Sequence, residues 1–352
     1  MAVSAKYHEQ QDKINYQKLK TLLQELPAFC SFFFRGIEPR TQSRTRLAYA
    51  YDLHVFFTFI LQNNPAYKDT AMHDIGIEVL DRINARDIEE YMDYLKFRPS
   101  EDGETEIANK ENGIKRKISS LKSFYRYYYS AEMIKTNPAA LVQLPKIHQK
   151  EIIRLDYNEV AKLLDQAENG ANLTKQQQAY HKITGKRDLA LLSLLLGTGM
   201  RVSECVGIDM TDIDIEETAV NIHRKGGKEE TVYFSDEVAQ NLLPYIETRK
   251  SFLKDGVDDP ALFLSVQGKR ISVRACENLV KKYASAVTPL KHITPHKLRS
   301  TYGTHLYQET GDIYLVADVL GHTDVNTTKK HYAAIDESRR RSARGAVHLR
   351  ED

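Results

Sequence analysis

Cysteine is scarce: the 352 residues contain only Cys30, Cys205 and Cys276. They lie far apart and form no C-x-x-C pair, which argues against a disulfide framework or a zinc site and for three small apolar fillers. Long apolar runs are also missing. A membrane helix needs roughly 18 such residues, and the longest run here, Leu189–Leu196, has the length of a buried helix. The first residues, M-A-V-S-A-K-Y-H-E-Q, hold no signal-peptide core. Membrane insertion is therefore not expected, and a cytoplasmic location is. Excess charge is small. The net charge is +2, with 22 Lys/Arg against 19 Asp/Glu in residues 1–150 and 28 against 29 in the remainder. Bulk charge thus points neither toward nor away from nucleic acid, and any such affinity must come from local clustering. Internal repeats and low-complexity tracts are absent.

What is present is ordinary globular material, 41% hydrophobic and 28% charged, in a chain long enough for two cored domains. Residues 1–25 read as a helix, and Phe32-Phe33-Phe34 before Gly36 and Pro39 as a turn. Leu47, Tyr51, Val55 and Phe59 recur at helical spacing, with Leu53, Phe56 and Ile60 beside them, and Asn63-Asn64-Pro65 ends that helix. Residues 66–86 read as a loop, Asn84 opens the next helix, and Pro99 to Gly103 is an acidic turn. A basic helix over about 108–130 carries Lys110, Lys115, Arg116, Lys117, Lys122 and Arg126 above an apolar face of Ile114, Ile118, Leu121, Phe124 and Tyr125. That helix is either a solvated face or a clamp on a DNA backbone. The expected plan is an all-α domain over 1–145, a linker over 146–154 and a second domain over 155–352. In the latter, Asp156 caps a helix, 170–185 is a polar loop, and Arg187-Asp188 starts the buried helix that Gly197 and Gly199 stop. Thr218–His223 and Thr231–Phe234 alternate as strands around the turn signal Gly226-Gly227. Helices are expected at 236–250, 272–286, 296–310, 312–320 and 326–332. The fold class is mainly α with a small antiparallel sheet. The tail 336–352, with Arg339, Arg340, Arg341 and Arg344, is too polar to form a core alone.

Chemistry-bearing residues gather late in the chain: T-P-H-K-L-R at 294–299, L-G-H at 320–322, Tyr332, and upstream Arg201 in G-T-G-M-R-V-S-E. A phenol has a pKa of about 10 and needs cationic neighbours to attack at neutral pH. Attack on a phosphodiester builds charge on the non-bridging oxygens, which arginine forks match. Arg201 and Arg299 supply two forks. Thr294-Pro295 sets a helix N-terminus, placing His296 and Arg299 on one face as an anion site that needs no metal. A lone H-x-x-R is usually a surface ion pair, and Glu204 on its own would be a surface carboxylate. Here Glu204 is expected to orient Arg201, and His322 to bond the phosphate or share proton transfer. Lys225 in H-R-K-G-G-K is expected to protonate the departing 5′ oxygen, with Lys228 as its rival. Tyr332 is the expected nucleophile, and one phosphodiester of DNA its expected target.

Three segments resemble the tyrosine recombinase (phage integrase) family: G-T-G-M-R-V-S-E at 197–204, T-P-H-K-L-R-S-T-Y-G-T-H-L at 294–306 and V-L-G-H-T-D-V-N-T-T-K-K-H-Y at 319–332. The resemblance implies Arg201, Lys225, His296, Arg299 and His322 as activating groups, Tyr332 as nucleophile and Glu204 at the family's acidic position. More loosely, T-R-L-A-Y-A-Y-D-L-H-V-F-F near 45–57 and I-S-S-L-K-S-F-Y-R-Y-Y near 118–128 resemble the family's helical core-binding domain. That raises the DNA-binding reading of Lys115, Arg116, Lys117 and Lys122. Cys205, where leucine is usual, and Ala333-Ala334 after the tyrosine depart from the pattern without removing a catalytic group. The resemblance implies a 3′-phosphotyrosine intermediate, no cofactor or metal, a C-shaped clamp on double-stranded DNA with paired sites, and a tetramer linked through the C-terminal tail. The length leaves no room for the extra N-terminal arm-binding domain of many phage integrases. It suits a Xer-like enzyme that resolves chromosome dimers, with an accessory or septal DNA translocase as partner. An integrase or resolvase of a mobile element, a type IB topoisomerase and a non-catalytic DNA-binding protein on the same fold are the alternatives.

Overall fold

A computed structural model of the chain describes residues 7–100, 104–146, 153–224, 227–253, 258–322 and 325. The chain divides into two compact units, Met1–Lys150 and Glu151–Asp352.

The first unit contains α1 (Tyr7–Glu25), α2 (Cys30–Ile37), α3 (Ser43–Asn63), α4 (Val79–Arg82), α5 (Ala85–Lys96), a ribbon of β1 (Phe97–Pro99) and β2 (Glu106–Ala108), α6 (Glu111–Ser130) and α7 (Pro138–Leu141). Its core is aromatic. Phe33, Phe56, Phe57, Tyr91, Phe124, Tyr125 and Tyr128 are fully buried, and edge-to-face pairs such as Phe33–Phe124 and Phe56–Tyr91, both at 5.1 Å, knit α2, α3, α5 and α6 together. Two of the buried phenols find backbone acceptors, Tyr125 donating to Leu80 O at 3.3 Å and Tyr128 to Phe29 O at 2.6 Å. Asn84 and Asp87 form a capping box at the start of α5.

Two local expectations change here. The Phe32–Phe34 stretch is helical rather than a turn, because Cys30, Phe33 and Phe34 all face the core from α2. Gly36 sits in that helix for proximity, since a Cβ there would lie 2.3 Å from the Tyr127 ring. Strands stand on either side of the segment expected as an acidic turn, Phe97 pairing with Ala108 and Pro99 with Glu106, so among its described residues the unit is helical apart from one ribbon. Three-residue strands are too short to show alternation in sequence.

The second unit contains α8 (Tyr157–Asn169), α9 (Lys175–Thr198), α10 (Val202–Gly207), β3 (Ile213–Asp214), β4 (Ala219–His223), β5 (Glu229–Tyr233), α11 (Asp236–Thr248), α12 (Val273–Val287), α13 (Pro295–Thr310) and α14 (Ile313–Val319). The strands form one antiparallel sheet in the order β3-β4-β5. The hairpin between β4 and β5 pairs Val220 with Val232 and Ile222 with Glu230. Central to the unit is α9, which packs against α8, α11 and α13. It begins at Lys175, so the expected loop over 170–185 is largely helix and Arg187-Asp188 lies mid-helix. The start signal is T-K-Q-Q: Thr174 and Gln177 make a capping box. Asp188 is buried and accepts from Arg187, Thr184, Lys282 and Tyr283. Burial alone would push its carboxyl up, but Arg187 and Lys282 outweigh burial and hold it below its ordinary value. All three cysteines are buried and free. Among the described residues, no helix is long and apolar enough to cross a membrane. The expected helix over 326–332 and the tail 336–352 lie outside the described residues.

Candidate active site

The site is best built from the end of α14. Asp312 caps its start, accepting from Tyr314 N and Leu315 N at 2.8 and 3.1 Å. Its end is a Schellman motif. Gly321 takes the left-handed conformation (φ 59°), Gly321 N donates to Asp318 O at 2.7 Å and His322 N to Ala317 O at 2.8 Å. L-G-H is thus a helix stop in which glycine supplies the positive φ and the histidine follows at a fixed backbone position.

A helix end leaves carbonyls without intrahelical donors. Three successive carbonyls of this turn are taken by three different guanidiniums. Arg224 Nη2 donates to Val319 O at 2.8 Å, Arg299 Nη2 to Leu320 O, and Arg201 Nη2 to Gly321 O at a longer 3.4 Å. Arg299 also donates through Nη1 to Gly199 O at 2.8 Å, and is buried. Gly199, the left-handed cap of α9, has no room for a side chain, since a Cβ would lie 2.3 Å from Tyr302. The ends of α9 and α14, the start of α10 and the second turn of α13 therefore meet around a cluster of positive charge.

Arg201 precedes α10 and is locked by Glu204. One carboxylate oxygen accepts Arg201 N and the other Arg201 Nη1, each at 2.7 Å. The Glu204 side chain is 3% exposed and that of Arg201 36%. The carboxylate is thus a buried brace, and the guanidinium it orients reaches solvent. Next to Glu204, burial pushes the Cys205 thiol well above its ordinary value, which suits an inert filler.

His296 is exposed in the first turn of α13, one helical turn before buried Arg299. Thr294 occupies the N-cap position but its hydroxyl makes no cap bond, contrary to expectation; Pro295 fills the first turn. His322 is half-buried. The structure thus gathers Arg201, Glu204 and Arg299 about the turn that carries His322, with His296 on the same helix as Arg299. Lys225 and Tyr332 lie outside the described residues. Lys228, the alternative acid, is 77% exposed with its ammonium 3.9 Å from Glu230. Among the described residues, no cluster of three or more His, Cys, Asp or Glu side chains is arranged to hold a metal ion.

Arg224 is the member of this cluster that the sequence reading passed over. Its signal was the alternation of β4: Val220 and Ile222 face inward, and Arg224 has the same parity.

In the first unit, three of the four expected DNA-contacting residues have internal partners. Arg116 grips buried Asp52 with both nitrogens, at 2.5 and 2.7 Å. Lys117 donates to Asn109 Oδ1 at 3.1 Å, and Lys122 to Val142 O at 2.7 Å. Burial raises the Asp52 pKa, with Arg116 and Lys117 pulling it back, and burial lowers that of Lys117. Lys115 is half-buried, its backbone carbonyl bonded to Ser119.

The profile of the phage integrase family matches residues 154–339. Tyrosine recombinase XerC of Caldanaerobacter subterraneus subsp. tengcongensis is 33% identical over 321 residues, 88% of this chain and 83% of its own. Tyrosine recombinase XerD of Staphylococcus saprophyticus subsp. saprophyticus is 32% identical over 319 residues, 90% and 96% of the two chains. A lambda integrase tetramer bound to a Holliday junction contains a chain of similar fold, with a TM-score of 0.59 and 16% identity over 86% of this chain and 76% of that one. The chain therefore belongs to the phage integrase family, the tyrosine recombinases, and is a DNA strand-exchanging enzyme.

Proposed function

We propose that the protein is a site-specific recombinase that cuts and rejoins double-stranded DNA through a 3′-phosphotyrosine and a Holliday junction, in the manner of Xer enzymes that resolve chromosome dimers. The observation that carries this reading is the cation cluster on the α14 turn, with Arg201 braced by a buried carboxylate and aimed at solvent. In the proposed reaction Tyr332 gives up its phenol proton to solvent as Oη bonds to phosphorus and the bond from phosphorus to the 5′ oxygen breaks. Arg201 and Arg299 stabilise the charge on the non-bridging oxygens, with His296 and His322 donating to the same phosphate. Lys225 gives its proton to the leaving 5′ oxygen. A 5′ hydroxyl of the partner duplex then attacks the phosphotyrosine, and the ester bond energy is conserved. Lys115 contacts DNA from the first unit, while Arg116, Lys117 and Lys122, each held by an internal partner, shape the helix that presents it. The reaction takes place in the cytoplasm.

The Xer names among the relatives support the chromosomal role over a mobile-element integrase, and the tetrameric neighbour supports a homotetramer, with the C-terminal tail as the proposed link between protomers. An accessory translocase belongs to the same proposal. The test uses the enzyme's own cleavage sites, mapped as covalent adducts on host DNA. Two copies placed on one plasmid are predicted to yield two circles. Relaxation of supercoils without exchange would overturn the reading in favour of a topoisomerase.

A further inference from the structure

Arg224 is a charged residue in a position that strand alternation assigns to the core. It is 8% exposed, on the inward side of β4 with Val220 and Ile222. Its Nη2 spans two elements, donating to Glu230 Oε1 on β5 at 2.6 Å and to Val319 O at the end of α14 at 2.8 Å. Its own N–H donates to Lys228 O at 2.8 Å across the hairpin. The guanidinium lies against Gly321, where a Cβ would come within 2.0 Å of Nη1. Nε and Nη1 are buried and have no hydrogen-bond partner among the described residues. For stability alone, an apolar side chain of this length would serve better there, because a buried guanidinium with unpaired donors loses its hydration without full replacement. The charge therefore calls for a role beyond packing.

We propose that Arg224 is a positioning residue for protonation of the leaving group: it fastens the β4–β5 hairpin, whose next residue is Lys225, to the turn that carries His322. The proposal rests on the recombinase reading above. One guanidinium joins the hairpin that delivers the proton to the helix end already held by Arg201 and Arg299. The strand that leads into Lys225 and the turn that carries His322 then share one frame. General acid catalysis depends on close placement of the donor; β3 pairs with β4 only at Ala219 and Val220, so at the loop end of the hairpin Arg224 adds a tie that the sheet does not supply.

The test measures single-turnover cleavage of two duplexes carrying the mapped site. In one the scissile phosphate has its natural 5′ oxygen; in the other that bridging oxygen is sulphur. A thiol has a pKa of about 8.5, so the thiolate leaves without a proton, whereas the alkoxide needs one. Arg224→Met is expected to slow the oxygen duplex by about tenfold or more, a part of the roughly 10²–10⁴-fold that a general acid contributes, and to leave the sulphur duplex close to the wild-type rate. Arg224→Lys, which keeps the charge on a shorter side chain without the fork, is expected to fall between. The ratio of the two rates does not depend on the folded fraction, so a partly unfolded variant still reports. A ratio unchanged from wild type, whether both rates fall together or neither falls, overturns the proposal. Lys225→Met is run beside it. A raised ratio there and in Arg224→Met supports the whole scheme. A raised ratio in Arg224→Met alone moves the acid to Lys228 and leaves the positioning role standing. A wild-type enzyme that forms no adduct with either duplex sinks the recombinase reading itself, and Arg224 with it.

Discussion

Replacing Arg116 with methionine separates two jobs that a basic helix can do. Its fork closes on Asp52 at 2.5 and 2.7 Å, and the Asp52 side chain is 1% exposed while that of Arg116 is 50% exposed. Removing one partner of a fully buried pair costs about 3–5 kcal/mol, because the other charge is stranded. Here half of the guanidinium faces water, which screens the attraction, and Asp52, its pKa already raised by burial, can escape by taking up a proton. A cost of about 2 kcal/mol follows. For a unit of this size, about 1 kcal/mol moves the melting temperature by roughly 2–4 °C, so the predicted drop is about 4–8 °C. Adding Asp52→Asn should recover more than half of it, since no charge is then stranded. The second assay is binding to a short mixed-sequence duplex across a salt series. A residue that neutralises a phosphate contributes about one unit to the slope of log K against log salt. With its fork committed to Asp52, Arg116→Met should leave that slope nearly unchanged, whereas Lys115→Ala should lower it without moving the melting temperature. An Arg116→Met protein that melts like wild type and loses a unit of slope refutes this reasoning and makes Arg116 a DNA contact first.

Two further outcomes follow from the catalytic unit. Glu204→Gln keeps the shape of the brace but removes its charge. A hydrogen bond to a charged group is worth about 1.5–3 kcal/mol, so if the loss is felt in the transition state, single-turnover cleavage should fall by about 10–100-fold; a rate within about twofold of wild type would show that Arg201 needs no orientation. The Asp188 carboxyl is held below its ordinary 3.8 by Arg187 and Lys282 against burial, so as pH falls the unfolded chain binds the proton first and the native state loses stability. That contribution is complete above about pH 4 and fades as pH falls through the lowered native value, so the melting-temperature gap between wild type and Asp188→Asn should narrow in that window; a gap that stays constant contradicts the ion-pair account.

The sequence carried a good deal of this, and for identifiable reasons. The strands of the hairpin show period two, α3 and α6 show an unbroken apolar stripe, and the boxes around Arg201, Arg299 and His322 put polar residues beside helix-boundary signals, glycine in two of them and Thr294-Pro295 in the other. The start of α9 was hidden because Lys175 to Lys186 is too polar to show a stripe, even though Thr174 and Gln177 spell a capping box. The Phe32–Phe34 stretch misled because glycine and proline nearby suggested a turn, whereas Gly36 answers to the Tyr127 ring in a different helix. Pairing is the least legible part. Nothing local to Arg116 points to Asp52, 64 residues away in the chain, and nothing local to Arg224 points to Val319, 95 residues away. Such contacts exist only once tertiary packing has brought helix ends and strands together.

The central claim is a covalent one, and mass spectrometry of the adduct tests it most directly. Protein trapped on DNA is digested with nuclease and trypsin, and the nucleotide-bearing peptide is sequenced. The account predicts a nucleotide joined through its 3′ phosphate to Tyr332, in the tryptic peptide 331–339, and no adduct from Tyr332→Phe. A nucleotide on any other side chain, or one attached through its 5′ phosphate, would contradict it.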